Sequence, residues 1–204
     1  MKVISIDLAS EYLANALDIY VRAFPSAERH PVKSIINRIS CGKEQLYGAI
    51  NDSNEVIGIA MLWQLVLNEV KVLDYFAIDD RFRDRQFGQL FLTEMINDYL
   101  ADSEVLVLEI EDPYFAPFDS PEFKRLQFYR KFAPNEYPFY RYRMPNLSGE
   151  GFVDMRLLTI GNQQKLSEDE LDSIVLKIYK QMYSIDHYAA LEMIFANKAI
   201  KSLF

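Results

Sequence analysis

Two long apolar runs, residues 56–67 and 70–78, follow each other with only Asn68 and Glu69 to turn the chain. Runs so rich in β-branched and aromatic residues, separated by a turn signal, predict two antiparallel strands joined by a tight turn. Beyond residue 86 the apolar period changes. Phe87, Leu90, Phe91, Met95, Ile96 and Tyr99 recur at helical spacing and predict one apolar stripe on a helix. That succession calls for a sheet with an antiparallel pair and a helix to cover it.

The rest of the chain extends the pattern. Residues 3–6 read as a strand, and residues 11–23 as a helix carrying Leu13, Leu17, Tyr20 and Val21 and ending before Pro25. Residues 31–39 predict a second helix, with Pro31 at its first position and Gly42 just past its end. Strands are expected at 45–50, 104–111, 139–144 and 152–160, and a helix at 122–131. Ser167 and Glu170 have the spacing of a capping box. Leu171, Ile174, Val175, Ile178 and Tyr179 then form a helical face, and a last helical pattern covers 188–203. The order β-α-α-β-β-β-α-β-α-β-β-α-α predicts an α/β fold: a mixed, mostly antiparallel twisted sheet flanked by helices. We expect one main domain over residues 1–160. Residues 161–204 are expected as a C-terminal helical extension packed on it.

Composition removes several function classes. No apolar run approaches the ~18–20 residues a membrane-spanning helix needs. Residues 1–7 lead straight into a strand pattern without the apolar block of a signal peptide. Cys41 is the only cysteine, so no internal disulfide can form. These features predict a cytoplasmic protein. The formal charge of −8 disfavours nucleic acid and anionic membranes as partners. It suits a cationic substrate such as an amine, and it equally suits plain solubility. His30 and His187 have no ligand spacing, so no metal site is assigned. Arg141 and Arg143 alternate with aromatics, which reads as a strand with one packed and one solvated face.

The stretch YFAIDDRFRDRQFGQLFL, residues 75–92, poses the functional question. An acidic chain places Arg81, Arg83 and Arg85 between a strand and a helix. A helix start offers unpaired N–H groups and partial positive charge. Arginines add charge-assisted hydrogen bonds to phosphate oxygens, and a glycine there admits a bulky anion to the backbone. The junction therefore fits a diphosphate cradle. It also fits a solvated turn in which the arginines pair with Asp79, Asp80 and Asp84.

Two stretches carry a family resemblance. LDYFAIDDRFRDRQFGQLFL resembles motif A of the GNAT acetyltransferases, a strand followed by R-x-x-G-x-G and a helix. Arg83, Gln86 and Gly88 fall on the arginine and glycine positions, and Tyr75, Ala77 and Ile78 on the strand. RLQFYRKFAP resembles the family's F-Y-x-x-x-G-F segment, with Phe128 and Tyr129 on the Phe-Tyr pair. The strand VLVLEIEDP lies between them, as the family's fifth strand does. The likeness spans roughly residues 1–160 and implies an acyl-CoA N-acyltransferase-like fold. Two departures stand out: Gln86 replaces a glycine, and Ala133-Pro134 replaces Gly-Phe.

The resemblance implies transfer of an acetyl group from acetyl-CoA to a small amine. It places Phe76, Ala77, Ile78, Arg83, Asp84, Arg85, Gln86, Phe87, Gly88, Gln89 and Phe128 around the coenzyme. The Ile78 N–H would meet the oxyanion. Tyr129 would protonate the departing thiolate, and a carboxylate would take the proton of the amine. Glu109 is the first candidate base, because a carboxylate inside an apolar strand is costly unless paired or functional. Glu111 and Asp74 are the others, and for all three an ion pair or a strand end is the plainer reading. Glu28 lies in the loop that often lines the family's acceptor pocket, and also suits an ordinary surface position. An acyl-CoA-binding sensor without turnover is the alternative function, and an interaction protein led by its C-terminal helices is a third. The oligomeric state stays open, a homodimer included.

Overall fold

The apolar runs form strands wherever a second apolar run lies beside them. This is seen in a computed structural model that describes all residues except 27, 66–68, 84, 148, 150, 162–164 and 202–204, and the side chains of 115 and 197–201. The chain divides into two units. The first comprises Met1–Gln64, Lys71–Ala101 and Leu147–Gly149; the second comprises Leu65–Val70, Asp102–Asn146 and Glu150–Phe204.

In the first unit β1 (Lys2–Ile6), β2 (Glu44–Ile50), β3 (Val56–Gln64) and β4 (Val70–Ile78) pair in sequence order. Each pair is antiparallel. The register of β3 on β4 shifts between Met61, opposite Tyr75, and Leu62, opposite Leu73. Asp74 is therefore the extra residue of a β-bulge, a device that re-aims side chains. The helices α1 (Leu13–Ala23) and α2 (Val32–Ser40) cover this sheet through Ala16, Ile19, Tyr20 and Ile35, which join Ile6, Leu46, Ile59, Met61 and Tyr75 in one core. Pro31 caps α2 from outside rather than opening it. Gly42 follows with φ +70°, the left-handed conformation that ends a helix.

The turn between β3 and β4 is longer than expected. The strands stop at Gln64 and resume at Val70, and the Leu65 N–H donates to the Val70 carbonyl at 3.2 Å. Asn68 lies outside the described residues. Helix α3 (Phe87–Tyr99) buries Phe91, Leu92 and Met95, whereas Leu90 is 50% exposed. Its buried face is thus turned by about one residue from the stripe expected from the sequence. Close packing under α3 depends on Gly58 of β3. A Cβ there would lie 2.6 Å from Ile78 Cδ1, 3.0 Å from the Ala77 carbonyl oxygen and 3.4 Å from Phe91 Cδ1. Gly58→Ala is expected to cost about 1–3 kcal/mol by overpacking. Urea unfolding at neutral pH measures this, and an unchanged midpoint would mean that β4 yields freely.

In the second unit β8 (Phe152–Gly161) is central. It pairs antiparallel with β5 (Val105–Glu111), β6 (Asn135–Glu136) and β7 (Tyr142–Pro145). The strand expected at 139–144 begins only at Tyr142, because Phe139 is 80% exposed and belongs to the preceding turn. Helix α4 (Pro121–Arg130) starts at Ser120, whose hydroxyl accepts from the Phe123 N–H. Helix α5 (Glu168–Gln181) carries the expected capping box at Ser167 and Glu170 and buries the whole expected face, Leu171, Ile174, Val175, Ile178 and Tyr179. Helix α6 (His187–Lys201) follows. The Tyr179 ring stacks on Tyr142 with centroids 5.6 Å apart, and its hydroxyl donates to the Arg143 carbonyl, so α5 packs on β7. No helix of the described residues is long and apolar enough to cross a membrane.

Candidate active site

The strand–loop–helix junction of the first unit is built as the sequence suggests. The Asp79 N–H donates to the Ile57 carbonyl at 2.9 Å. Ile78 therefore occupies the alternate position of the ladder, where N–H and C=O point away from β3. Ala77 faces the opposite way and is buried, while the Phe76 ring contacts Phe91 at 5.3 Å. A single 3-10 turn, Asp80–Phe82, leads out of β4 and is capped by the Asp79 carboxylate.

The three arginines divide between the two arrangements that the sequence left open. Arg81 lies on Asp79, with Nε 3.1 Å from Oδ1 and Nη2 3.0 Å from Oδ2. Arg83 and Arg85 are exposed and form no ion pair with a described carboxylate. Arg83 Nε donates to the Ile78 carbonyl at 3.2 Å, and its terminal nitrogens bond to no described residue. Arg85 lies 5.9 Å from the Phe82 ring centroid. Asp84 lies outside the described residues. Gln86 caps α3 with φ 63° and no side-chain hydrogen bond, and no acidic residue sits in the first turn. The first N–H groups of α3, from Phe87, Gly88 and Gln89, have no intrahelical acceptor. Two exposed guanidiniums without a described counter-ion, beside a helix start that no side chain caps, are what a diphosphate needs, so the residues present fit the coenzyme.

Both departures from the motif fall at positions of positive φ. Gln86 and Ala133 take φ 63° and 48°, the left-handed region that glycine enters without strain. A non-glycine residue there costs about 1–2 kcal/mol. The paths of the cradle and of the α4 end are thus maintained at some expense.

Tyr129 and Phe128 lie on α4 in the second unit, their rings 5.2 Å apart. The buried tyrosines are Tyr20, Tyr47, Tyr75, Tyr129, Tyr137, Tyr142 and Tyr179. Six of these hydroxyls bond to another group, among them Tyr20, Tyr47, Tyr75 and Tyr137. The Tyr129 hydroxyl alone bonds to no described residue. Burial raises its pKa to about 12, so it remains a neutral donor.

The three candidate bases differ in their surroundings. Glu109 accepts from the Tyr142 hydroxyl in a very short bond and from the Tyr183 hydroxyl at 3.3 Å to each oxygen. Burial, and next the Glu109 charge, keep the Tyr142 phenol far above its ordinary pKa. Glu111 pairs with Arg125 at 2.9 Å on the surface. Asp74 pairs with Arg38 at 3.1 Å in the first unit. Glu111 and Asp74 are thus each engaged by an arginine. Glu28 is exposed.

Sequence reasoning missed the group beside Asp74. Glu44 is 1% exposed, and its nearest cation, Arg38 Nη1, is 3.6 Å away, beyond hydrogen-bond length. Burial, and then the Asp74 charge, push its pKa up to about 9. The fold thus holds a proton that the unfolded chain releases above pH ~4.3. The sign follows: this contribution to stability is complete below that pH and is lost as pH rises towards 9. Wild-type stability should fall across this window by at most about 1.4 kcal/mol per pH unit. Glu44→Gln, which mimics the protonated form, should flatten the fall. Urea unfolding of both proteins at pH 5, 7 and 9 reads the difference, and parallel curves would exclude a protonated Glu44.

No protein-family model matches the chain, and no curated protein matches its sequence. Solved structures do match. A Bacteroides thetaiotaomicron structure assigned to the GNAT acetyltransferase family aligns with TM-score 0.77 and 20% identity, covering 91% of this chain and 100% of that one. An aminoglycoside 6'-N-acetyltransferase complexed with coenzyme A aligns with TM-score 0.59 and 14% identity, over 81% of this chain and 100% of that one. The ribosomal-protein-S18-alanine N-acetyltransferase of Escherichia coli aligns with TM-score 0.56 and 13% identity, over 82% of this chain and 97% of that one. At such identities the likeness establishes the fold.

Proposed function

We propose, starting from the GNAT fold that this chain carries, that it transfers an acetyl group from acetyl-CoA to a small amine. The observation that carries the reading is the junction after β4: Arg83 and Arg85, without a described counter-ion, beside the uncapped start of α3. There the arginines and the first N–H groups of α3 would hold the diphosphate. The neighbour with coenzyme A bound, and another solved with a bisubstrate analogue, support an acyl-CoA donor.

The chemistry then falls to few groups. The acceptor must lose a proton to attack the thioester carbonyl, and Glu109, or a water that it holds, takes it. The two phenols on Glu109 hold the carboxylate in place. The Ile78 N–H meets the oxygen as negative charge develops on it. On the match to the family's Phe-Tyr pair, Tyr129 would be the group that returns a proton to the leaving sulfur. The formal net charge of −8 favours a cationic acceptor over a nucleic acid.

Calorimetric titration with acetyl-CoA, followed by a thiol-release assay over a panel of primary amines, tests this reading. Saturable binding and acceptor-dependent release are expected. No binding at millimolar coenzyme would overturn it. Binding without release for any amine would favour the sensor alternative instead.

A further inference from the structure

The loop that carries Arg83 and Arg85 also carries Asp79 and Asp80, and these carboxylates are natural competitors for the same guanidiniums. Their charge is taken up elsewhere. Asp79 is 2% exposed. Its Oδ1 accepts from the Arg81 N–H at 3.0 Å and from Arg81 Nε at 3.1 Å. Its Oδ2 accepts from Arg81 Nη2 at 3.0 Å and from Arg22 Nη2 at 2.8 Å. Asp80 Oδ1 accepts from Arg22 Nη1 at 3.1 Å, and Arg22 Nε donates to Asp18 at 2.9 Å on its own helix. One guanidinium from the end of α1 thus spans three carboxylates. Its hydrogen bonds to Asp79 come second only to those of Arg81 in holding that carboxyl well below the usual range. Arg22 and Arg83 also line one cavity of about 120 Å³, together with Ile78, Asp79 and Asp80.

The geometry points to Arg22 as a positioning residue for the coenzyme: with Arg81 it clamps Asp79 and Asp80, so that Arg83 and Arg85 stay available to the diphosphate. This inference rests on the reading of the junction as the coenzyme cradle. Without Arg22, Asp80 keeps only the Arg81 N–H and is left to compete for the other arginines of its loop, Arg83 and Arg85 among them. Arg81 still holds Asp79 through two nitrogens, so the fold survives the loss.

The test is the dissociation constant of coenzyme A, by calorimetry, for the wild type and four variants. Arg22→Met should weaken binding about fivefold, the scale of one exposed charge pair. Adding Asp80→Asn to it should restore affinity to within about twofold, because the competitor is gone. Adding Asp18→Asn instead changes net charge equally but leaves Asp80 free, and should not restore it. Unchanged affinity in Arg22→Met overturns the clamp, as does equal rescue by both second substitutions. If Arg22→Met fails to fold, Arg22→Lys decides. It keeps the charge but cannot reach both aspartates with separate nitrogens, so undiminished affinity overturns the clamp. A wild type that does not bind coenzyme A removes the cradle reading along with it. Wild-type binding with an indifferent Arg22 removes only the clamp.

Discussion

Tyr129→Phe is expected to lower acetyl transfer by about 10²–10⁴-fold, the usual worth of a positioned acid. The substitution removes one hydroxyl and leaves the buried ring in place. That hydroxyl bonds to no described residue, so its loss should leave the thermal midpoint unchanged or slightly raised. Coenzyme affinity should also hold, because the ring still packs beside Phe128. The phenol stays protonated through the working range, its pKa being about 12, so the defect should not depend on pH below that value. Single-turnover transfer at saturating acetyl-CoA, with an accepted amine, measures the step directly. Equal rates would make Tyr129 a packing residue and leave the thiolate to another donor.

The second large effect concerns binding. Replacing Arg83 and Arg85 together with glutamate should weaken coenzyme A by about 10²–10⁴-fold, the sum of two charge-assisted hydrogen bonds. Neither side chain is buried, and neither pairs with a described carboxylate, so the fold should be untouched. Raising the salt concentration should weaken wild-type binding in the same direction. Calorimetry with a circular-dichroism control reads both properties. Retained affinity in a folded double variant would place the diphosphate elsewhere.

Much of the architecture was legible because the apolar residues are spaced by local geometry. The α5 face from Leu171 to Tyr179 and its capping box at Ser167 are set within one helix, and both were read correctly. The strand–loop–helix junction was legible for the same reason, since strand, arginines and helix are contiguous. Errors arose where burial depends on distant partners. Leu90 and Leu92 both fit a helical stripe, and only the surface opposite α3 decides that Leu92 goes in. Phe139 looks like a strand residue, but the turn before β7 leaves it in solvent. The division of the arginines was beyond sequence reasoning. Arg22 meets Asp79 across 57 positions of chain, and no local spacing announces it. Glu44 and Asp74 are likewise joined only by the pairing of β2, β3 and β4. A glutamate at the head of a strand carries no signal of its burial.

The chain contains a single tryptophan, Trp63 on β3, with the Arg38 guanidinium 4.9 Å from its ring centroid. The indole is thus an intrinsic optical probe confined to the first unit. Its emission follows loss of structure there and is blind to the second unit, whereas far-ultraviolet dichroism reports on helices and strands of both. Superposed denaturation curves from the two signals would mean that the whole chain melts as one cooperative body. Displaced curves would resolve two bodies and assign the midpoint of one to the half that holds Arg83 and Arg85.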